Sequence, residues 1–478
     1  MNYKRILHTL GLVLCCEAGC MLLPLICAII YKEAVWSDFF VSIALCLSAG
    51  IILAMQNTQK KEIYAKEGFI IVALSWIVMS VFGAMPFVLS GAIPSFIHAL
   101  FETVSGFTTT GATILSDVEV LPKSILFWRS FTHWIGGMGV LVFLVALLPM
   151  SGGNNLHLMK AESTGPSVSK LVPKVKSSAK ILYGIYIAMT LALVVLLLAG
   201  GMNLFDALTH AFGTAGTGGF GVRNSSIADY SPYIQVVITT FMILFGIDFS
   251  VYFIILMRKF KLLARANEVK TYIGIILLAT AVICLNCYST FGNIWTSLRH
   301  SAFQVSSIIT TTGFATDDFN KWPELSKAIL VLLMFVGACS GSTGGGIKVS
   351  RIVIFCKSIG KEIMLAAHPK SVKKTMMNGR IIEHETIRVI NVYMAAYLVI
   401  FVSSVLLISV DNFDFTTNFT AIAATLNNIG PGLAKVGPTA NFSIYSPFSI
   451  LVMTLDMLIG RLEIFPMLVL FSKYTWRK

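Results

Sequence analysis

Ten apolar runs divide this chain of 478 residues, at about 6–30, 39–55, 69–89, 124–150, 181–200, 233–257, 272–287, 325–355, 387–409 and 446–471. Each approaches or exceeds the ~20 residues that a helix needs to cross the hydrocarbon core of a bilayer. With 56% hydrophobic and 12% charged residues, the chain has about half the charge fraction of a soluble domain. It reads as an all-α, multi-span membrane protein. Lys4 and Arg5 ahead of the first run imitate a secretory signal. That run is too long, and no small-residue cleavage site precedes Tyr31-Lys32-Glu33, so it is kept as a helix.

Cys15, Cys16, Cys20, Cys27, Cys46, Cys284, Cys287, Cys339 and Cys356 lie in or beside the runs, which points to packing and not to a disulfide framework. Zinc at Cys15, Cys16 and Cys20 lacks histidine partners at suitable spacing. The net charge of +13 is sorted by membrane side and not gathered for nucleic acid. Lys60, Lys61 and Lys66 share one side with Lys160, Lys170, Lys174, Lys176 and Lys180, with Arg258, Lys259, Lys261, Arg265 and Lys270, and with a large group from Lys348 to Arg388. Lys4, Arg5, Lys473, Arg477 and Lys478 fall on it too. The positive-inside rule makes that side cytoplasmic and puts both termini there. The opposite loops carry Asp117, Glu119, Asp229, Asp317, Asp318 and Glu324, a weak acidic bias facing arriving cations.

From the third run onward, each pair of runs flanks a glycine turn: Thr109-Thr110-Gly111-Ala112, Gly216-Thr217-Gly218-Gly219, Thr311-Thr312-Gly313-Phe314 and Asn428-Ile429-Gly430-Pro431. Gly111, Gly218, Gly313 and Gly430, taken as equivalent, recur about every hundred residues, a period suited to a repeat of helix, re-entrant segment and helix. In the second turn Gly216, Gly218 and Gly219 all qualify; Gly218 is chosen because Thr217 then matches Thr110 and Thr312. Ahead of each turn, about 95–108, 203–213, 294–309 and 415–427, lies a segment too short to span a bilayer as a helix. Such a helix, entering from outside, aims the partial negative charge of its C-terminal carbonyls inward, which favours a cation. Non-helical backbone at membrane depth is tolerated only inside protein or along water, so the four turns belong around one axis. There, glycine lets backbone carbonyls replace the hydration of an ion.

The residues resemble a known family. Gly106-Phe107-Thr108-Thr109-Thr110-Gly111-Ala112-Thr113, His210-Ala211-Phe212-Gly213-Thr214-Ala215-Gly216-Thr217-Gly218-Gly219-Phe220, Gly341-Ser342-Thr343-Gly344-Gly345-Gly346-Ile347-Lys348 and Gly460-Arg461-Leu462-Glu463 look like the Trk/Ktr/HKT superfamily of potassium transporters. Two extra N-terminal helices bring the chain closest to its TrkH-type branch. The resemblance implies four pseudo-symmetric repeats around one potassium pore, in a homodimer whose subunits each hold their own pore. It also implies a cytoplasmic, TrkA-type nucleotide-binding partner. The expected organisation is two N-terminal helices (1–67) and repeats at 68–150, 151–257, 258–380 and 381–478. Potassium is expected at Thr109, Thr110, Gly111, Thr217, Gly218, Thr311, Thr312, Gly313, Asn428, Ile429 and Gly430, with no organic cofactor. In the family, glycine at the filter position of all four repeats accompanies potassium preference, and serine in the first accompanies sodium permeation.

The run 325–355 would be ~45 Å long as one helix, and Gly341, Ser342, Thr343, Gly344, Gly345 and Gly346 interrupt it. The resemblance implies an intramembrane gating loop here, beneath the filter. Close helix packing at small residues is the competing reading. Arg461, costly in lipid, should face the interior, where the carbonyls of 341–346 suit it better than Glu463; in the family an arginine at this motif does that work. Glu17 is expected to pack inside or near an interface. Glu102, Asp206, Arg129, His133, Arg299 and His300 are candidates to brace the turns, Asp248 and Asp456 to form a proton relay, and His98 and His210 to hydrogen-bond in the core.

Gly216-Thr217-Gly218-Gly219-Phe220-Gly221 matches a dinucleotide-binding pattern but lacks its strand and opening helix, and Ile347 spoils a phosphate loop at 341–348. No H-E-x-x-H or G-x-S-x-G occurs, so an enzyme is not expected. The expected activity is potassium uptake across the cell membrane, the inner membrane if the source is Gram-negative, by channel-like conduction. The alternative is symport with protons or sodium.

Overall fold

The computed structural model describes residues 1–56, 65–139, 175–263, 266–371, 374–377 and 380–476. Lys60, Lys61, Lys160, Lys170, Lys174, Arg265, Lys373, Arg477, Lys478 and the run beyond 139 lie outside them. Among the described residues the protein is helical, apart from a two-residue strand pair, Met376–Met377 with Arg380–Ile381.

Two helical segments come first, Tyr3–Cys20 continuing as Leu22–Ile30, and Trp36–Ala54. They cross where Gly11 meets the main chain at Gly50 and Ala54, the close approach that small residues allow inside a bilayer. Four units of one plan follow. The leading helices are Ala65–Gly83 with Met85–Leu89, Val175–Ala199, Asn267–Asn286 and His384–Ile408. The short helices are Phe96–Phe107, Leu204–Gly216, Ile294–Ile309 and Phe415–Leu426. Asn203, Asn293 and Asp414 cap the last three through their side chains, satisfying amide groups that a helix start leaves free. Every trailing helix opens at a proline, Pro122, Pro232, Pro323 or Pro447, whose missing N–H a first turn does not need.

The ten apolar runs are not ten rods. Among the described residues, six continuous helices are long and apolar enough to span a membrane: the two N-terminal segments and the four leading helices. Each trailing run is broken. The first trailing helix ends at Gly137, the second bends by 90° between Phe245 and Phe249, the third stops at Val336 and resumes at Val349, and the fourth stops at Arg461 and resumes at Phe465. Apolarity reports depth in the membrane and not hydrogen bonding, so a break whose carbonyls find other donors leaves the hydropathy pattern untouched.

Candidate ion pathway

All four short helices end in the same way. Thr109, Thr217, Thr311 and Asn428 stand in left-handed conformation, with φ of 56°, 56°, 59° and 57°. The amide of the next residue then reaches back to close a six-residue turn: Thr110 to Ser105, Gly218 to Gly213, Thr312 to Ser307 and Ile429 to Ala424, each at 2.8 Å. Together with the bond one residue earlier this is a Schellman end, which normally takes glycine at the left-handed position. Threonine there is strained, and such strain persists only where the surroundings over-determine it.

This register corrects the second turn. Thr217 aligns with Thr109 and Thr311, not with Thr110 and Thr312, and the following positive-φ glycine is Gly219 at 78°, beside Gly111 at 79°, Gly313 at 85° and Gly430 at 102°. Gly218 is the counterpart of Thr110. Matching threonines by identity puts the register off by one residue; backbone handedness, which no side chain in this turn advertises, decides it.

The four glycines close a ring. A Cβ on Gly111 would run into the carbonyl oxygen of Gly218, one on Gly219 into that of Thr312, one on Gly313 into that of Ile429, and one on Gly430 would lie 2.9 Å from that of Thr110. Each glycine thus abuts the residue before the glycine of the next unit, in the order one, two, three, four and back to one. The next layer repeats the order in hydrogen bonds: Val118 N–H to Asn224, Ile227 N–H to Ala315, Ala434 N–H to Asn320 and Phe442 N–H to Thr113, at 2.8–3.0 Å. A cavity of about 150 Å³ lies over the ring, lined by Gly111, Gly219, Gly313 and Gly430. At its rim, Asn224 donates to the exposed Asp117 and holds that carboxyl below the usual carboxylate range.

Behind the first turn, Glu102 accepts from Thr113 Oγ1 at 2.9 Å, from Ile114 N–H at 3.0 Å and from Arg129 Nε at 2.6 Å. Arg129 also donates to the Gly221 carbonyl at 3.0 Å and lies 3.5 Å over the Phe220 ring. This buried pair clamps the strands leaving the first two turns. Breaking such a pair on one side destabilises by ~3–5 kcal/mol, so Glu102→Ala is expected to lower the thermal unfolding midpoint in detergent sharply. An unchanged midpoint would show that the pair is not a brace.

The segment 337–348 packs against the Thr109 and Thr311 level of the turns. Gly345 N–H donates to Thr311 Oγ1 at 2.6 Å, and Thr343 Oγ1 to the Phe245 carbonyl at 3.3 Å. Cys339 N–H reaches Gly246 and Phe249 N–H reaches Gly341, both at 3.0 Å, so the bend in the second trailing helix satisfies the loop. Glu268 takes the amides of Ser340 and Ser350 at 2.6 and 3.2 Å, pinning both ends. Arg461 is buried beside the loop. Its guanidinium donates to Thr343 O at 2.9 Å, Thr109 Oγ1 at 3.0 Å, Gly136 O at 2.5 Å and Gly137 O at 3.0 Å. It therefore joins units one, three and four. Glu463 pairs with Arg351.

Lys348 does not belong with the solvated bases among which its place in the chain puts it: it is 1% exposed and donates to the Gly344 carbonyl. Arg351 is buried as well. The only sequence signal for Lys348 is its position directly after a glycine-rich break inside an apolar run. Among the other polar residues, Asp206 accepts from Tyr230 at 2.8 Å, His210 bonds the Asp206 carbonyl at 2.7 Å, and His300 meets Thr316 at 2.9 Å beside Arg299. Asp248 caps the helix Phe249–Leu256, and Asp456 accepts from Ser404 at 2.8 Å. Glu17 is buried near Cys46, and His98 is half-buried on the first short helix.

Four helix–short helix–broken helix units closed around one axis define a multi-pass membrane protein of the four-repeat transport class. The chain belongs to the TrkH family of cation transport proteins, whose family model matches residues 36–477. It is 36% identical over 487 residues to the Trk system potassium uptake protein TrkH of Salmonella typhimurium strain LT2, covering all of both chains. It is 34% identical to TrkG of Escherichia coli K12, covering 100% of this chain and 99% of that one. The crystal structure of the potassium transporter TrkH from Vibrio parahaemolyticus superposes with a TM-score of 0.90 at 31% identity, again over all of both chains. A member of a cation-transport family is a transporter and not an enzyme.

Proposed function

We propose that this protein takes up potassium through the ring of four turns, in channel-like conduction. The closed cyclic order of Gly111, Gly219, Gly313 and Gly430 carries the reading, because a ring of backbone carbonyls is what replaces the hydration of a dehydrating cation. The ion contacts assigned are the backbone carbonyls of Thr109, Thr110, Thr217, Gly218, Thr311, Thr312, Asn428 and Ile429. The segment 341–346 is the gate, with Arg461 holding it shut and opposing a cation at that level. The units are assigned to the ranges 68–150, 151–257, 258–380 and 381–478. The arrangement of basic residues supports cytoplasmic termini. A homodimer and a cytoplasmic nucleotide-binding partner of the TrkA type complete the proposal.

Rubidium and sodium flux into proteoliposomes tests it, with potassium-dependent growth of uptake-deficient cells in parallel. Gly111→Ser is expected to lower the rubidium-to-sodium flux ratio at least ~10-fold, since Gly111 stands at positive φ against the Gly218 carbonyl. An unchanged ratio rejects the filter. Symport is the second reading, favoured by Asp456, which is 2% exposed and has one carboxyl oxygen without a hydrogen-bond partner among the described residues. Uptake that stops when the proton or sodium gradient is collapsed at constant membrane potential would select it.

A further inference from the structure

The second turn is built differently from the others at its back. In units one and three the threonines on either side of the left-handed residue close on each other, Thr108 to Thr110 and Thr310 to Thr312, Oγ1 to Oγ1 at 2.8 Å. The second unit has Gly216 and Gly218 at these places. Neither glycine is at positive φ, so the backbone would accept a side chain at both. What forbids one is His133, from the trailing helix of the first unit. Its main-chain carbonyl lies against Gly216 and its imidazole against Gly218, so that a Cβ on either would collide with it. The ring is fully buried and stacks on Phe220 with centroids 4.2 Å apart, and neither ring nitrogen has a hydrogen-bond partner among the described residues. It is held there by shape, as close-packed interiors hold apolar groups.

We propose that His133 is a positioning residue for ion discrimination: it supplies from the neighbouring unit the wall that threonine pairs supply within units one and three. The Gly218 carbonyl that it backs is the one against Gly111, so a shift of this strand passes to the first turn and around the ring. Close-packed interiors have low compressibility and transmit strain of this kind. The inference rests on reading the turns as the ion filter. Its packing half stands without that reading.

The test is a double-mutant cycle in the full-length protein, read by rubidium-to-sodium flux ratio and by thermal unfolding. His133→Ala is expected to lower the flux ratio at least ~5-fold while the protein stays folded, and Gly218→Thr to lower rubidium flux at least ~10-fold. The double variant, in which threonine fills the space that the imidazole leaves, should return to within ~2-fold of the parent. Losses that add in the double, or a His133→Ala variant indistinguishable from the parent, overturn the proposal. If Gly218→Thr yields no folded protein, recovery of folded protein in the double supports it and absence of recovery overturns it. Gly111→Ser separates the two readings: if that variant leaves the flux ratio unchanged, the filter falls. The unfolding cycle between positions 133 and 218 then still decides the packing claim, which additive midpoint shifts overturn.

Discussion

Alanine at Gly219 is expected to lower rubidium flux at least ~100-fold, a near-complete loss consistent with a carbonyl ring that works only when every side is in place. Two effects act together. A non-glycine residue in left-handed backbone is penalised by about 1–2 kcal/mol, and the new methyl group would overlap the Thr312 carbonyl oxygen. A backbone oxygen cannot rotate aside as a flexible side chain can, so the second and third turns must part. Gly91 provides the control. It has φ of 73°, and a methyl group added there would find nothing within 4 Å, so alanine meets the conformational penalty alone. Gly91→Ala should conduct as the parent does. Equal flux from both variants would show that the ring geometry at Gly219 is irrelevant to conduction.

Arg461→Gln is expected to raise rubidium flux by roughly 10- to 20-fold. A unit charge repels a cation about 10 Å away by roughly 1.7 kcal/mol at an effective dielectric constant near 20, and the substitution removes that repulsion. It also frees carbonyls of Thr343, Gly136 and Gly137 from their charged donor. Each loses a hydrogen bond worth roughly 1.5–3 kcal/mol when the donor is charged, so the unfolding midpoint should fall while flux rises. Arg461→Lys keeps the charge but lacks the planar fork that reaches several acceptors at once. It should lower the midpoint without the rise in flux. Flux that falls in Arg461→Gln, in a variant still folded and inserted, would reject the gate.

The parts of this molecule that are legible in its residues are those set by local chemistry. The two N-terminal helices and four leading helices follow from apolar length, and the short helices from segments too brief to cross a bilayer. The buried guanidinium of Arg461 meeting loop carbonyls follows from the expense of charge in lipid. What is not legible is set by neighbours remote in sequence. In the chain Gly216, Gly218 and Gly219 all qualify and threonine matching selects Gly218; Gly219 is singled out only once Thr217 is seen at φ of 56°. Lys348 looks like one more base in a basic stretch until the loop folds it back onto Gly344. The first and second trailing helices end where Arg461 and the third loop supply donors to Gly136, Gly137 and Gly246 from other units, an exchange that hydropathy does not record.

The sequence by itself therefore determined that the chain spans a membrane, that it repeats a unit four times, and that each unit carries one glycine turn behind a short helix. Composition and period are properties of one strand of chain and need no partner. The tertiary structure alone decided which glycine of the second turn joins the ring, that the ring closes in cyclic order, and that His133 of one unit backs the turn of the next. Those depend on backbone handedness and on contacts across about a hundred residues or more, set when the units pack together at the close spacing of a protein interior.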